Sequence, residues 1–238
     1  MIISITQTKG GTGKSTLALS LAFSKSFKEK YDRIALLEFD QQGSIRYWWQ
    51  ERLEYKRDNH SVSFYFIPDT SQEALQKKIK SIALNHDLLI MDMPGESTGK
   101  LHTTMSCSIS DTVIIPMRSS NNDESALARN LLPLINNVLI KDRAKAGIYK
   151  ILPTFVHPSA NSKTITQYFN EILPQGINCL DAVFPSRSIY ENFNRDGMNL
   201  HEFADSYQTN RRIFAQSEKA IHDIEVIARI VLNSFITK

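Results

Sequence analysis

Cysteine is scarce: Cys107 and Cys179 are the only two in 238 residues. Two thiols cannot build a disulfide framework or a four-ligand zinc site, so free thiols in a reducing compartment are expected. Long apolar runs are missing as well; none approaches the ~18 residues that a membrane helix needs. Residues 1–5 carry no basic segment and lead straight into a glycine-rich stretch, which does not fit a secretory signal. A cytoplasmic location is the expectation. An excess of one charge is also lacking. Lys plus Arg number 28 against 25 Asp plus Glu, a net +3 spread along the chain, which gives little compositional argument for a nucleic-acid partner. Neither an internal repeat nor a Pro/Gly/Ser-rich linker is present. Hydrophobic residues at 42% and charged residues at 22% exclude a disordered or fibrous chain. Glycine is rare too, nine in all, which makes the crowding of three at positions 10, 11 and 13 the most informative feature of the composition.

Short apolar, β-rich runs alternate with helix-like segments. Strands are expected at 2–6, 33–39, 62–67, 88–91, 112–116, 148–156 and 178–184. Helices are expected at 15–27, 44–56, from Thr70 onward and over the tail 209–236. The runs 88–91 and 112–116 are continuously apolar, as strands buried on both faces are. Thr70 and Glu73 have the spacing of a capping box. This alternation implies βαβ units with right-handed crossovers. The expected fold is α/β: one doubly wound domain, 1–238, with a mostly parallel sheet of six to seven strands flanked by helices. The first strand begins at residue 2, so no DNA-binding domain is expected ahead of it.

Residues 8–16 read Thr8-Lys9-Gly10-Gly11-Thr12-Gly13-Lys14-Ser15-Thr16, between the first strand and the first helix. That is the context of a phosphate-binding loop. Glycines let backbone N–H groups approach phosphate oxygens, and the helix start points its positive dipole end at them. Lys14 is expected on the β- and γ-phosphates of ATP, and the Ser15 hydroxyl on Mg²⁺. Two strand ends supply acids: Asp40 after 33–39, and Asp92 after the apolar run 88–91. Asp92 arrives at the carboxyl edge of the sheet, where open α/β folds bind ligands, and is expected to hold Mg²⁺ through water.

The general phosphate-loop pattern has glycine where this chain has Thr8, and this chain has a second lysine, Lys9. Lys-Gly-Gly-Thr-Gly-Lys-Ser resembles the deviant Walker A motif of the ParA/MinD superfamily of ATPases, and in size the chain resembles the small, ParF-like partition proteins. The resemblance implies that Lys9 reaches across a homodimer, with ATP sandwiched, to the partner's phosphates. The segment Glu38-Phe39-Asp40-Gln41-Gln42-Gly43-Ser44 resembles the family's next motif. Asp40 matches the aspartate that positions the attacking water, Glu38 stands in place of another aspartate, and Gln41 in place of a proline. Asp92-Met93-Pro94-Gly95 resembles Walker B and its switch turn. Pro185 and Thr154 fall near where the family contacts adenine.

The implied function is slow, ATP-dependent DNA partition. The dimer would bind DNA without sequence preference and associate with the nucleoid, and a small, ParB-like centromere-binding protein would stimulate hydrolysis. The family places DNA contacts largely on C-terminal basic residues; the candidates here are Arg187, Arg195, Arg211, Arg212 and Lys219. Alternatives on the same motifs are a VirC-type conjugation protein, a metabolic ligase resembling dethiobiotin synthetase, and a membrane-surface ATPase like MinD. The last needs a basic amphipathic tail. Ile224, Ile227, Ala228, Val231, Leu232 and Phe235 do form a stripe, but Arg229 and Lys238 are its only basic companions, so a core-packing helix is expected and a membrane partner is not. A nitrogenase-reductase-like iron–sulfur protein does not fit, because the two cysteines lack glycine-rich flanks. Tyr47-Trp48-Trp49 is read as packing a helix onto the sheet, and His157 has no catalytic role.

Overall fold

The computed structural model describes residues 1–57, 61–68, 71–95 and 100–235. Among the described residues eight strands are paired in parallel: β1 (Ile2–Ile5), β2 (Ile34–Glu38), β3 (Val62–Phe66), β4 (Leu88–Asp92), β5 (Thr112–Met117), β6 (Tyr149–Val156), β7 (Ile177–Cys179) and β8 (Phe184–Pro185). Their order is β3-β2-β4-β1-β5-β6-β7, with β8 lying on the far end of β6. Every residue of β2, β4 and β5 is buried, which is why these strands read as unbroken apolar runs rather than as alternation. The stretch 178–184, expected as one strand, is two: β7 and β8 are separate pieces that pair with different parts of β6.

Helices cover both faces. α1 (Lys14–Ala22), α2 (Lys25–Lys30) and α3 (Ser44–Glu54) belong to the N-terminal half, followed by α4 (Gln72–Ala83) and α5 (Lys100–Ile109). α6 (Asn121–Ala126) runs through a π-helical turn, Leu127–Leu131, into α7 (Leu132–Lys141). α8 (Ser162–Ile172), α9 (Leu200–Ser206) and α10 (Arg211–Asn233) complete the chain. The first helical segment, expected to be continuous over 15–27, breaks at Phe23-Ser24. The Ser24 hydroxyl caps α2 by accepting the Phe27 N–H, and it also donates to the Leu21 carbonyl. Serine competes with the backbone for such bonds and so favours a new helix start. Thr70 lies outside the described residues; the side chain that caps α4 is Ser71, which accepts from Ala74 N–H.

Leu17, Ala18 and Leu21 bury α1 against the sheet, where Ile3, Ile5, Leu88 and Ile90 receive them. At roughly 1.5–3 kcal/mol per buried leucine or isoleucine side chain, this layer anchors the helix that follows the glycine loop. α10 covers the same face. Ile224, Ile227, Ala228, Val231 and Leu232 are all buried in that cluster, so the tail's stripe is core. Ile236 and Lys238 lie outside the described residues, among which no helix is long and apolar enough to cross a membrane. Of the aromatic triplet, Trp48 packs edge-on against Phe23 and Trp49 stacks on Phe64, while Tyr47 is exposed.

Candidate active site

β1, β2 and β4 end side by side, and their carboxyl ends deliver the loop 8–13, Asp40 and Asp92 to one cleft. The cleft has a volume of about 460 Å³ and is lined by residues 10–16, Asp40, Gln41, Gln42, Ser44 and Gly95. The structure thus brings together Gly10, Gly11, Thr12, Gly13, Lys14, Ser15 and Thr16 with Asp40. Gly11 and Gly13 have φ of 67° and 86°, the left-handed region that glycine adopts without a Cβ clash. Gly13 is the N-cap of α1 and makes no side-chain capping bond. A serine or aspartate there would occupy the first N–H groups of the helix; glycine leaves them to an anion.

Lys14 is buried, with its Nζ 3.4 Å from the Lys9 carbonyl oxygen. Burial lowers its ammonium below the usual lysine range, and the charges of Asp92 and Asp40 oppose that shift. The Ser15 hydroxyl donates to Asp92 Oδ2 at 2.6 Å. Asp92 is fully buried, which pushes its carboxyl up to about 7 against the opposing pull of Ser15 and Lys14. Its second oxygen, Oδ1, is buried and accepts no hydrogen bond from the described residues. Gly95 closes over the loop: a Cβ there would stand 3.2 Å from Lys14 Nζ and 3.6 Å from Gly10 Cα.

The two acids at the end of β2 diverge. Asp40 is half-exposed on the cleft, and its Oδ1 accepts the Gln42 N–H at 3.0 Å. Glu38 is fully buried and turns to α3, accepting N–H bonds from Ile45 at 2.9 Å and Arg46 at 2.8 Å. α3 also begins on a left-handed glycine, Gly43, without a side-chain cap, so Glu38 satisfies its open donors. Glu38 therefore holds the start of α3 rather than facing the cleft.

Lys9 bends away from the loop and pairs with Asp123, a buried carboxylate in the first turn of α6. Burial alone would raise the Asp123 carboxyl, but Lys9 and the Arg118 N–H outweigh it and hold it below the usual range. The Arg118 side chain crosses to the loop itself, donating to the Gly11 carbonyl at 2.9 Å. Sequence reasoning missed Asp123; the one local signal is its position three residues after Ser120, which caps α6 by accepting the Asp123 N–H. Nothing in the sequence signalled that Lys9 would meet it.

Beside Gly13 and Thr16 lies a second, more apolar cleft, whose walls include Phe155, Phe184, Pro185 and Tyr190. Pro185 thus lines a cleft next to the glycine loop. Thr154 is not part of the lining: it is 2% exposed and pairs with Phe184 beneath the cleft, and its neighbour Phe155 takes the wall instead. The basic candidates separate by environment. Arg187 is committed to Asp223, in an ion pair that covers most of its side chain. Arg195 donates to Asn192 Oδ1. Arg211 and Arg212 are exposed on the first turn of α10, and Lys219 is exposed two turns on.

Comparison with known proteins places this geometry in a family. A family model described as the CobQ/CobB/MinD/ParA nucleotide binding domain matches residues 3–199. A curated Protein ParA from Rhizobium radiobacter is 24% identical over 200 residues, covering 84% of this chain and 85% of that protein. Two solved structures share the fold. One is a ParA named for pNOB8 (TM-score 0.66, 14% identity, 99% of this chain and 98% of the other). The other is a putative plasmid partition protein from Borrelia burgdorferi bound to AMPPNP (TM-score 0.59, 18% identity, 90% and 98%). The chain belongs to the CobQ/CobB/MinD/ParA family of nucleotide-binding domains, whose ParA and MinD members are ATPases.

Proposed function

We propose that this chain is a DNA-partition ATPase that works as an ATP-driven dimer switch. The observation that carries the reading is the pair of lysines on one glycine loop in two different environments. Lys14 is buried at the phosphates' expected position, and Lys9 is half-exposed at the loop's outer edge, held by a single carboxylate. A lysine that served its own loop would lie inward, like Lys14. Lys9 instead turns outward to Asp123, which supports a role toward a second subunit's phosphates.

In this reading the loop N–H groups and Lys14 hold the β- and γ-phosphates of ATP, with Gly10–Thr16 as the cradle. Mg²⁺ fits the donor set: the Ser15 hydroxyl lines the cleft as a hard oxygen, and Asp92, bonded to it and with an unpartnered Oδ1, would hold the ion through water. When bound, the ion neutralises charge on the β- and γ-phosphates. Asp40 orients the attacking water and can accept its hydrogen bond. Lys9 leaves Asp123 to meet the partner's phosphates, which ties the ion pair to the monomeric state. Hydrolysis is slow without a small, ParB-like protein, since the product of the cycle is a change of state.

DNA is bound without sequence preference by the dimer, through Arg195, Arg211, Arg212 and Lys219. Arg187 contributes little, being already neutralised by Asp223. Two modest patches on one dimer act together by effective concentration, so a chain of net +3 suffices when paired. The apolar stripe of α10 is packed in the core, which supports a packing role for it. An electrophoretic shift of arbitrary duplex DNA with ATP, with ADP and without nucleotide tests this. ATP-only binding that weakens steeply with salt is expected; equal binding in all three states, or none in any, contradicts it.

A further inference from the structure

Phe155 has a φ of +55°, a left-handed conformation that a bulky side chain adopts only under constraint. It stands at a bulge: Thr154 pairs with Phe184 and Val156 with Pro185, and the pairing register shifts between them at Phe155. Bulges re-aim a side chain next to functional sites. Core packing does not account for the strain, since the ring is 45% exposed. Instead the bulge turns the ring onto the phosphate loop, where Arg118 covers it with its guanidinium carbon 3.7 Å from the ring centroid. Arg118 is in turn fixed to the Gly11 carbonyl, and the Phe155 ring edge lies 3.9 Å from where a Gly13 Cβ would be. The same ring walls the apolar cleft with Pro185 and Tyr190. Two of the cleft's polar side chains are engaged within the chain, Arg187 with Asp223 and the Tyr190 hydroxyl with the Ala220 carbonyl. A cleft walled by three aromatic rings and a proline offers a flat, π-rich ligand faces to stack on.

We propose that Phe155 is the stacking platform for the base of the bound nucleotide, and that Arg118 is a positioning residue that backs the ring and ties it to the phosphate loop. The proposal rests on the nucleotide-binding reading above. One base–aromatic stack corresponds to about a 5- to 150-fold change in affinity. Isothermal titration of the full chain with ATP, ADP and inorganic tripolyphosphate separates base from phosphate recognition. Phe155→Ala is expected to weaken ATP and ADP at least fivefold while leaving tripolyphosphate within twofold, and Phe155→Tyr to restore both nucleotides. Phe155→Gly, which removes the ring and relieves the positive φ, is expected to melt no lower than Phe155→Ala yet to bind nucleotide as weakly. That combination separates a ligand role from a structural one. Unchanged ATP affinity in a folded Phe155→Ala protein, or a parallel loss of tripolyphosphate binding, would overturn the assignment while leaving the nucleotide reading intact. A wild-type protein that binds no ATP or ADP would overturn both.

Discussion

Lys14 carries its charge in a buried position, an arrangement that disfavours the ammonium. Its ammonium is buried, lowered by desolvation, and compensated only in part by Asp92 and Asp40. Residues poised for binding often reduce stability in this way. Lys14→Met should therefore abolish nucleotide binding yet stabilise the ligand-free protein by about 0.5–2 kcal/mol, measured by urea denaturation alongside titration with ATP. A destabilised variant would mean that Lys14 is chiefly a structural ion partner. Asp123 is the matching case at the loop's edge. Asp123→Asn keeps the shape and the hydrogen bonds of the α6 turn but removes the charge that holds Lys9. In the dimer-switch account, this variant dimerises at a lower ATP-analogue concentration than wild type; sedimentation across an analogue series reads the shift. A rightward shift would mean that Asp123 assists the dimer rather than restraining Lys9.

At the scale of elements, α3 links the cleft to the C-terminal region. Its first turn is held by Glu38, and its last turn carries Arg52, which is fully buried between the rings of Phe23 and Trp48. Arg52 donates to the Gly197 carbonyl and, through both terminal nitrogens, to Glu202 at 2.7 and 2.9 Å. Gly197 is the close approach that permits this. Its φ is +64°, and a Cβ there would overlap the backbone nitrogen and Cα of Arg52. Gly197→Ala should cost at least about 2–3 kcal/mol, because neither the clash nor the positive φ can relax cheaply; the denaturation midpoint measures it. A loss below about 0.5 kcal/mol would show that α3 is not clamped there.

The strands β2, β4 and β5 and the loop 8–16 were legible in the sequence. A short, continuous apolar run bounded by polar residues suits a strand buried on both faces, and glycines clustered between a strand and a helix suit a backbone that must approach a ligand closely. The features that were not legible depend on geometry that neighbours in sequence do not encode. Phe155 replaces Thr154 at the cleft because of one bulged residue, and Arg187 is withdrawn by Asp223, 36 residues away. Glu38 was recognisable as an acid near the site, yet its partners are backbone N–H groups of α3. Only the path of the chain after Gly43 reveals that.

Across the whole molecule, the tail is bound to the beginning of the chain. Glu225 of α10 accepts the N–H groups of Lys25 and Ser26 and the Ser26 hydroxyl, closing a span of about 200 residues at the start of α2. Burial would raise its carboxyl, but these bonds and His201 depress it to about 2 from an ordinary 4.5. A depressed acid contributes stability that is fully present above its unfolded value and is lost as pH falls toward the folded one. Glu225→Gln should thus be less stable than wild type by about 1–3 kcal/mol at pH 7. The gap should narrow as pH drops from about 4.5 toward 2, as followed by chemical denaturation at several pH values. A gap that does not change with pH would assign the loss to packing instead.

The same scale holds the account's central claim, that Lys9 acts on a second copy of the chain. Sedimentation velocity of wild type and Lys9→Ala, each with and without a non-hydrolysable ATP analogue and Mg²⁺, addresses it most directly. Wild type should sediment as a dimer only with the analogue. Lys9→Ala should stay monomeric in both conditions, with an unchanged circular dichroism spectrum and retained analogue binding. A Lys9→Ala protein that dimerises with the analogue as wild type does would contradict the account.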